Sequence, residues 1–251
     1  MKRNHSSYPS LRIGRLLILG LLAMFASSCA VKSPGAKGSK ATRVLLVGGG
    51  SSHNFDLWYK GADATTLRQA GYLVTYTANT DSIAEYLKST DVLYLSNNQA
   101  IKSQASRQAI LDHIAAGKGL LLAHAALWYN WKDWPEYNKQ IAAGGSNGHD
   151  RYGSFDVNFT NTTHPVTQGQ AAKLTLKDER YYYIPDPAGP GIEVLASNSV
   201  AGSEKTFPSI FVVKNDKARI VGIALGHDAE SHNIPQYQAI LRNAVKWVSK
   251  K

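Results

Sequence analysis

Gly119-Leu120-Leu121-Leu122-Ala123-His124-Ala125-Ala126-Leu127-Trp128 is the stretch on which the fold turns. An unbroken apolar run behind a glycine suits a strand covered on both faces, as in the middle of a parallel sheet. The run stops at one polar residue, His124, followed by two small alanines. In open α/β sheets ligands gather beyond the carboxyl ends of the strands. A tight strand-to-helix turn at that edge is where α/β enzymes place a nucleophile on an elbow. His124 is therefore the first candidate for a working side chain. The competing reading of this segment, a buried histidine with a satisfied ring, stays open here.

Working outward, the same alternation repeats. Arg43–Gly48 reads as a buried strand, followed by the loop Gly49-Gly50-Ser51-Ser52-His53-Asn54-Phe55-Asp56 and a helix over 57–70 that Gly71 ends. Strands at 72–77 and 91–96, a short helix at 82–87 and a longer one at 103–116 complete a β-α-β-α-β-α-β order. The longer helix turns Ile110, Leu111 and Ile114 to one face and leaves His113 on the surface. This order predicts an α/β fold with a doubly wound, mostly parallel sheet and right-handed crossovers, in a single domain. The glycine loop lacks both G-x-G-x-x-G and a Walker lysine, so no nucleotide is expected.

The second half changes character. Residues 128–137 are dense in aromatics, and 144–151 reads as a polar loop. Strands are expected near 155–159, 173–176, 193–197, 207–213 and 219–224, and an amphipathic helix over 235–248. His149 and His232 fall in expected loops as surface residues, and His164 before Pro165 reads as a turn residue.

The N-terminus is not part of the fold. Met1-Lys2-Arg3, Arg12 and Arg15 precede a short apolar core, Leu16 to Phe25, and then Ala26-Ser27-Ser28-Cys29. That run is short for a membrane span and reads as a secretory signal. Its small residues ending in cysteine resemble a bacterial lipobox, with Ala30 in the pattern of outer-membrane sorting. The expected layout is a lipoprotein signal at 1–28, lipidation at Cys29, a flexible tether over 29–41 and the folded domain from 42 to 251. An exported protein anchored to the membrane through its lipid, at the outer membrane, follows from this reading.

Composition removes several chemistries. Cys29 is the only cysteine, so the domain has no thiolate nucleophile, cysteine-ligated zinc or iron–sulfur cluster. Of the net charge of +10, the signal carries four cations and the tether three, which leaves about +3 on the domain. No dense basic run occurs there, and no nucleic-acid partner is expected.

Three histidines share one address: His53 past the first strand, His124 at the end of the fourth, His227 past the last. In a parallel sheet those strand ends point the same way.

At this point the chain resembles the ThuA-like (trehalose utilisation) family, of the class I glutamine amidotransferase-like superfamily, from about Thr42 to Val248. The resemblance is carried by Gly48-Gly49-Gly50 with His53, by Gly119–His124, by Gly144-Gly145 and by Asn161-Thr162-Thr163-His164-Pro165-Val166. Asp178-Glu179 with Tyr181, Leu225-Gly226-His227 and Val245-Lys246-Trp247-Val248 complete it. Ala125 stands where the family usually has serine or glycine, and Ala123 where it often has glycine. In amidotransferase relatives the elbow carries a cysteine; here it carries His124, so glutamine hydrolysis is not expected. The resemblance implies sugar metabolism and a functional link to oxidoreductases that make 3-keto sugars.

His124, Glu179 and His227 are then the candidate catalytic groups, and His53, His124 and His227 the candidate ligands of a zinc-like divalent ion. A metal-free acid–base pair is the other option. His53, Trp128, Tyr181 and His149 are the candidate substrate contacts, with aromatic faces offered to a sugar ring. Two blander readings stand beside these: Glu179 as a surface partner of Arg180, and the aromatics as packing. The expected function is an enzyme acting on a saccharide, including isomerisation, elimination or hydrolysis of a 3-keto-glycoside. The alternative is a non-catalytic carbohydrate-binding lipoprotein of the same fold.

Overall fold

In the computed structural model, residues 40–128 and 132–250 are described. The expected signal segment, Cys29, the tether up to residue 39, and Tyr129, Asn130 and Trp131 lie outside the described residues. The strands run β1 (Arg43–Val47), β2 (Leu73–Thr77), β3 (Val92–Leu95), β4 (Gly119–Ala123), β5 (Gly144–His149), β6 (Gly153–Phe159), β7 (Lys173–Asp178), β8 (Tyr181–Pro185), β9 (Ile192–Ser199), β10 (Phe207–Val213) and β11 (Ile220–Ile223). The helices are α1 (Ala64–Gln69), α2 (Ile83–Leu87), α3 (Gln104–Ala115), α4 (Ala229–His232) and α5 (Pro235–Val248).

A nine-stranded sheet has the order β2-β1-β3-β4-β11-β10-β9-β6-β7, and β5 and β8 pair separately. The pairings from β2 through β11 are parallel. Beyond β11 the sheet continues through antiparallel strands to β7.

Two-sided burial accounts for the unbroken apolar runs. Successive strand residues point to opposite faces. Val44, Leu46, Leu121 and Ala123 therefore enter one core with Ile240, Leu241, Ala244 and Val245 of α5. Leu45, Val47, Leu120 and Leu122 enter the other with Ile83 of α2 and Ile110 and Ile114 of α3. Each fully buried leucine contributes about 1.5–3 kcal/mol of transfer free energy, so covering both faces is what selects this arrangement. Gly119 lets α5 close over the sheet: a Cβ there would lie 2.3 Å from the Val248 carbonyl oxygen.

The structure corrects several details of the sequence reading. The helix expected over 57–70 opens as wide π-type turns, Asp56–Asp63, before α1 takes over. Leu111 is exposed although Ile110 and Ile114 are buried. His113 is buried, not at the surface, because the glycine carbonyl at the start of β4 gives its Nε2 a partner at 3.1 Å. The polar segment 144–151 is largely β5, not loop: its glycines pair with β8, Gly145 opposite Ile184. A Cβ at Gly144 would sit 2.4 Å from the Ile184 carbonyl oxygen, so the same feature that argues against a strand is what allows this one.

Candidate active site

His124 directly follows β4 and adopts φ +40°. Left-handed backbone is uncommon for a residue with a Cβ and costs on the order of 1–3 kcal/mol, so the neighbouring structure must hold it. Its Nδ1 lies 2.9 Å from the Ala224 carbonyl oxygen just past the adjacent strand β11. Tyr181 stacks on the other side, ring centroids 4.3 Å apart. His124 is fully buried.

His53 arrives from the glycine loop after β1. Asn98 braces that loop, accepting the Ser51 N–H and donating to the Ser51 carbonyl oxygen, both at 2.9 Å. His53 Nδ1 lies 3.0 Å from the same carbonyl oxygen. A carbonyl can only accept, so both His53 and His124 carry their proton on Nδ1 and present the Nε2 lone pair.

His227 follows β11 on a segment clamped by Asp178. The buried Asp178 carboxylate accepts N–H bonds from Gly226 at 2.8 Å and His227 at 3.2 Å, and the Ser231 hydroxyl as well. It also accepts the N–H of Glu179 at 2.7 Å. One carboxylate therefore places both Glu179 and His227, although β7 is the far edge of the sheet from β1's side.

These four side chains converge. Glu179 Oε2 lies 3.2 Å from His227 Nδ1, 3.4 Å from His124 Nε2 and 4.0 Å from His53 Nε2. The four ligand atoms all lie within 4.8 Å of one another. Those three ring nitrogens are buried without any hydrogen-bond partner. An unsatisfied buried nitrogen ordinarily costs about 1–3 kcal/mol, so three aimed at one point call for a common partner. A divalent ion held at about 2.0–2.1 Å sets neighbouring ligand atoms roughly 3.3–3.4 Å apart in a tetrahedral shell. The Glu179 separations from His227 and His124 are close to that spacing, that from His53 is wider, and imidazole and carboxylate donors fit such an ion.

Burial, then the neighbouring His124, pushes the His53 imidazole down to about 3, so it is neutral near pH 7. The Glu179 carboxylate raises His227. Burial works against ionising Glu179, but the imidazoles of His124 and His227 hold its carboxyl well below the usual range.

His53 and Glu179 of the quartet open onto a hollow of about 250 Å³ lined also by Trp128, His149, Tyr181, Ser51, Ser52 and Asn98. His149 stands at its edge, partly exposed, with Nε2 3.8 Å from Glu179 Oε1 and Nδ1 2.7 Å from the Asp150 carbonyl oxygen. Trp128 lies edge-on to both His149 and Tyr181.

A family model described as trehalose utilisation (ThuA) matches residues 43–248. The chain belongs to the ThuA family. Its fold is similar to that of a ThuA-like protein from Parabacteroides merdae, at TM-score 0.72 and 20% identity over 84% of this chain and 91% of that one. A ThuA-like protein from Bacteroides uniformis is similar at TM-score 0.71 and 22% identity, over 86% and 95%. A β-galactosidase from Bacillus circulans matches at TM-score 0.56 and 11% identity, with only 31% of that longer chain covered. No curated protein matches the chain.

Within the ThuA fold, every site residue singled out from sequence lies at or beside this cleft, except Cys29, which is outside the described residues. Glu179 does not pair with Arg180: that guanidinium turns the other way, to Asp150, Asn198 and the Lys205 carbonyl oxygen. His164 is a turn residue, its Nδ1 accepting the Val166 N–H at 3.2 Å. His232 is not a surface histidine; it is fully buried against Asp63. Sequence reasoning gave no role to Asp178 or Asp63. The apolar residues flanking Asp178 in β7, Leu174 and Leu176, were the available signal, since they mark a strand whose acidic end must also be covered.

Proposed function

We propose that the histidine–glutamate cleft is the active site of a sugar-processing enzyme that holds a divalent cation through His53, His124, His227 and Glu179. The observation that carries this reading is the convergence of three unpartnered buried ring nitrogens on one carboxylate oxygen. When bound, a divalent ion supplies Lewis acidity toward a carbonyl or hydroxyl oxygen.

The chain's own residues do the rest. Ser51 and Ala224 carbonyls orient two of the imidazoles, the kind of outer hydrogen bond that fixes a ligand's tautomer. Glu179 presents Oε2 to the imidazoles and Oε1 toward His149, whose Nε2 lies 3.8 Å away at the edge of the hollow, so a substrate hydroxyl seated between them would be within reach of both groups. Trp128 offers an aromatic edge at the wall, while Ser51, Ser52 and Asn98 offer hydroxyl and amide groups. A mixed aromatic and polar lining with a volume just under the usual ligand-pocket range of about 300–1,000 Å³ suits one sugar ring. Membership of a trehalose utilisation family supports a saccharide substrate. A 3-keto-glycoside fits best, because its ketone gives an acid–base pair an acidified neighbouring C–H to work on. Lipid anchoring at Cys29 after export completes the proposal, on the strength of the sequence motif.

The test is the metal content of the purified full chain and of His124→Asn after equilibration with zinc. About one ion per chain, lost in the variant, is the expected result. A full chain that takes up no ion overturns the metal site; saccharide titration then separates metal-free chemistry from simple sugar binding.

A further inference from the structure

Behind the cleft lies a second cluster of titratable groups that the proposed chemistry does not use. Asp63, at the end of the wide turns, and His232, at the end of α4, are both fully buried, with Oδ1 and Nδ1 2.7 Å apart. The other ring nitrogen, Nε2, lies 2.9 Å from the Gly226 carbonyl oxygen. The Gly226 carbonyl can only accept, an ionised Asp63 carboxylate likewise, and a neutral imidazole has a single N–H. A neutral ring would leave one lone pair facing an acceptor at hydrogen-bond distance. The doubly protonated ring satisfies both contacts.

The surroundings suit that charge. The Tyr94 and Tyr237 hydroxyls donate to Asp63 Oδ2 at 2.6 and 3.3 Å. Trp58 stacks on the His232 ring at 5.9 Å with 6° between planes, and Tyr59 and Tyr237 meet it edge-on at 4.8 and 5.0 Å. Burial lowers the proton affinity of His232, but Asp63, by charge and hydrogen bond, the Gly226 carbonyl and the more distant Asp178 leave it raised.

The Gly226 carbonyl belongs to the peptide that carries His227. It also accepts the Tyr59 hydroxyl at 2.7 Å, while the Gly226 N–H goes to Asp178. Gly226 itself has φ +125°, which a side chain would resist.

We propose that His232, held as an imidazolium by Asp63, is the positioning residue that pins the Gly226–His227 peptide and so aims His227 into the cleft. Its importance to the site rests on the proposed function above, through the placing of His227 there. Asp178 holds the N–H side of this peptide and His232 the C=O side, so the loop is gripped from both faces.

Two experiments test it. Ring-nitrogen NMR of the full chain, with isotope-labelled histidine, should show both His232 nitrogens still protonated at neutral pH, where an ordinary histidine is mostly deprotonated. One deprotonated nitrogen at neutral pH overturns the proposal. Zinc titration then compares His232→Phe, which keeps the ring packing and loses the Gly226 bond, with Asp63→Asn, which lets a neutral His232 keep both bonds. Loss of an outer-shell partner typically weakens metal binding by about 10–100-fold. That loss is expected for His232→Phe, and a change of less than about threefold for Asp63→Asn. A folded His232→Phe that binds zinc as tightly as the parent overturns the proposal. Should the parent bind no zinc, the metal reading fails, and the His227 ring shift in His232→Phe decides instead: unchanged overturns positioning, moved supports it. A His232→Phe that does not fold leaves the decision to the NMR of the unmodified chain.

Discussion

Two buried clusters of imidazole and carboxylate sit within one fold and have opposite hydrogen-bond accounts. Around Asp63, both carboxylate oxygens and both nitrogens of His232 are matched. Around Glu179, three imidazoles turn their free nitrogens inward and find no partner. The residue types are the same, so composition does not separate structure from site; satisfaction does. A fully matched buried network rigidifies a core, whereas an unmatched one is held in place by its surroundings. His124 shows that cost directly, through its left-handed backbone.

The contrast can be broken most sharply by truncating one carboxylate in each cluster. Asp63→Ala strips the partner from a buried imidazolium and should destabilise by about 3–5 kcal/mol. Glu179→Ala removes a half-buried carboxylate that the imidazoles of His124 and His227 favour, and should cost less than Asp63→Ala, about 1–2 kcal/mol. Urea midpoints of the two variants check this, and equal losses would erase the distinction.

Filling the unmatched cluster should be the next largest effect. Zinc at about a hundredfold over its dissociation constant should raise stability by about 2.7 kcal/mol. His124→Asn, which tolerates the same backbone, should show no zinc-dependent shift in melting temperature.

His113 sharpens the comparison from a third position, being buried with Nδ1 unpartnered and its pKa pushed down, chiefly by burial, to about 4 from 6.5. Its folded value is depressed, so the unfolded chain binds the proton first. The stability it contributes is therefore whole above pH 6.5 and is lost as pH falls toward 4. Between about pH 7 and 5 this amounts to roughly 2 kcal/mol. His113→Phe should flatten that acid limb in urea melts repeated across pH, and an unchanged limb would assign the loss elsewhere.

The smallest expected effect is Tyr237→Phe. It removes the longest of the donors to Asp63 while His232 and Tyr94 remain, and should cost about 0.5–1.5 kcal/mol. A loss as large as that of Asp63→Ala would show that the cluster fails as a unit.

The parallel half was legible because its inner strands are buried on both faces, as Leu120-Leu121-Leu122 shows, although β2 at the edge is largely exposed. The strand ends then placed His53, His124 and His227 without further information. The antiparallel side was legible strand by strand, but its pairing was not. β5 is built on Gly144 and Gly145, whose fitness as strand residues depends on how closely the β8 backbone approaches. Asp178 was opaque for a related reason: its partners lie 48 and 49 residues away, on a loop whose shape no local pattern encodes. His232 and His113 misled because a histidine in a polar-looking stretch carries no mark of the carbonyl that will receive its ring nitrogen after folding.

The four inward-facing side chains come from positions 53, 124, 179 and 227, scattered over most of the domain. No short segment of the unfolded chain holds more than one of them, so the affinity of the set is created by folding and belongs to its free energy. Timing follows from this. On the proposed metal reading, an ion would be captured only once the last strand has entered between its neighbours, and its identity would be settled by whatever metals surround the chain at that moment. On the proposed export, the compartment in which the chain folds would choose the metal.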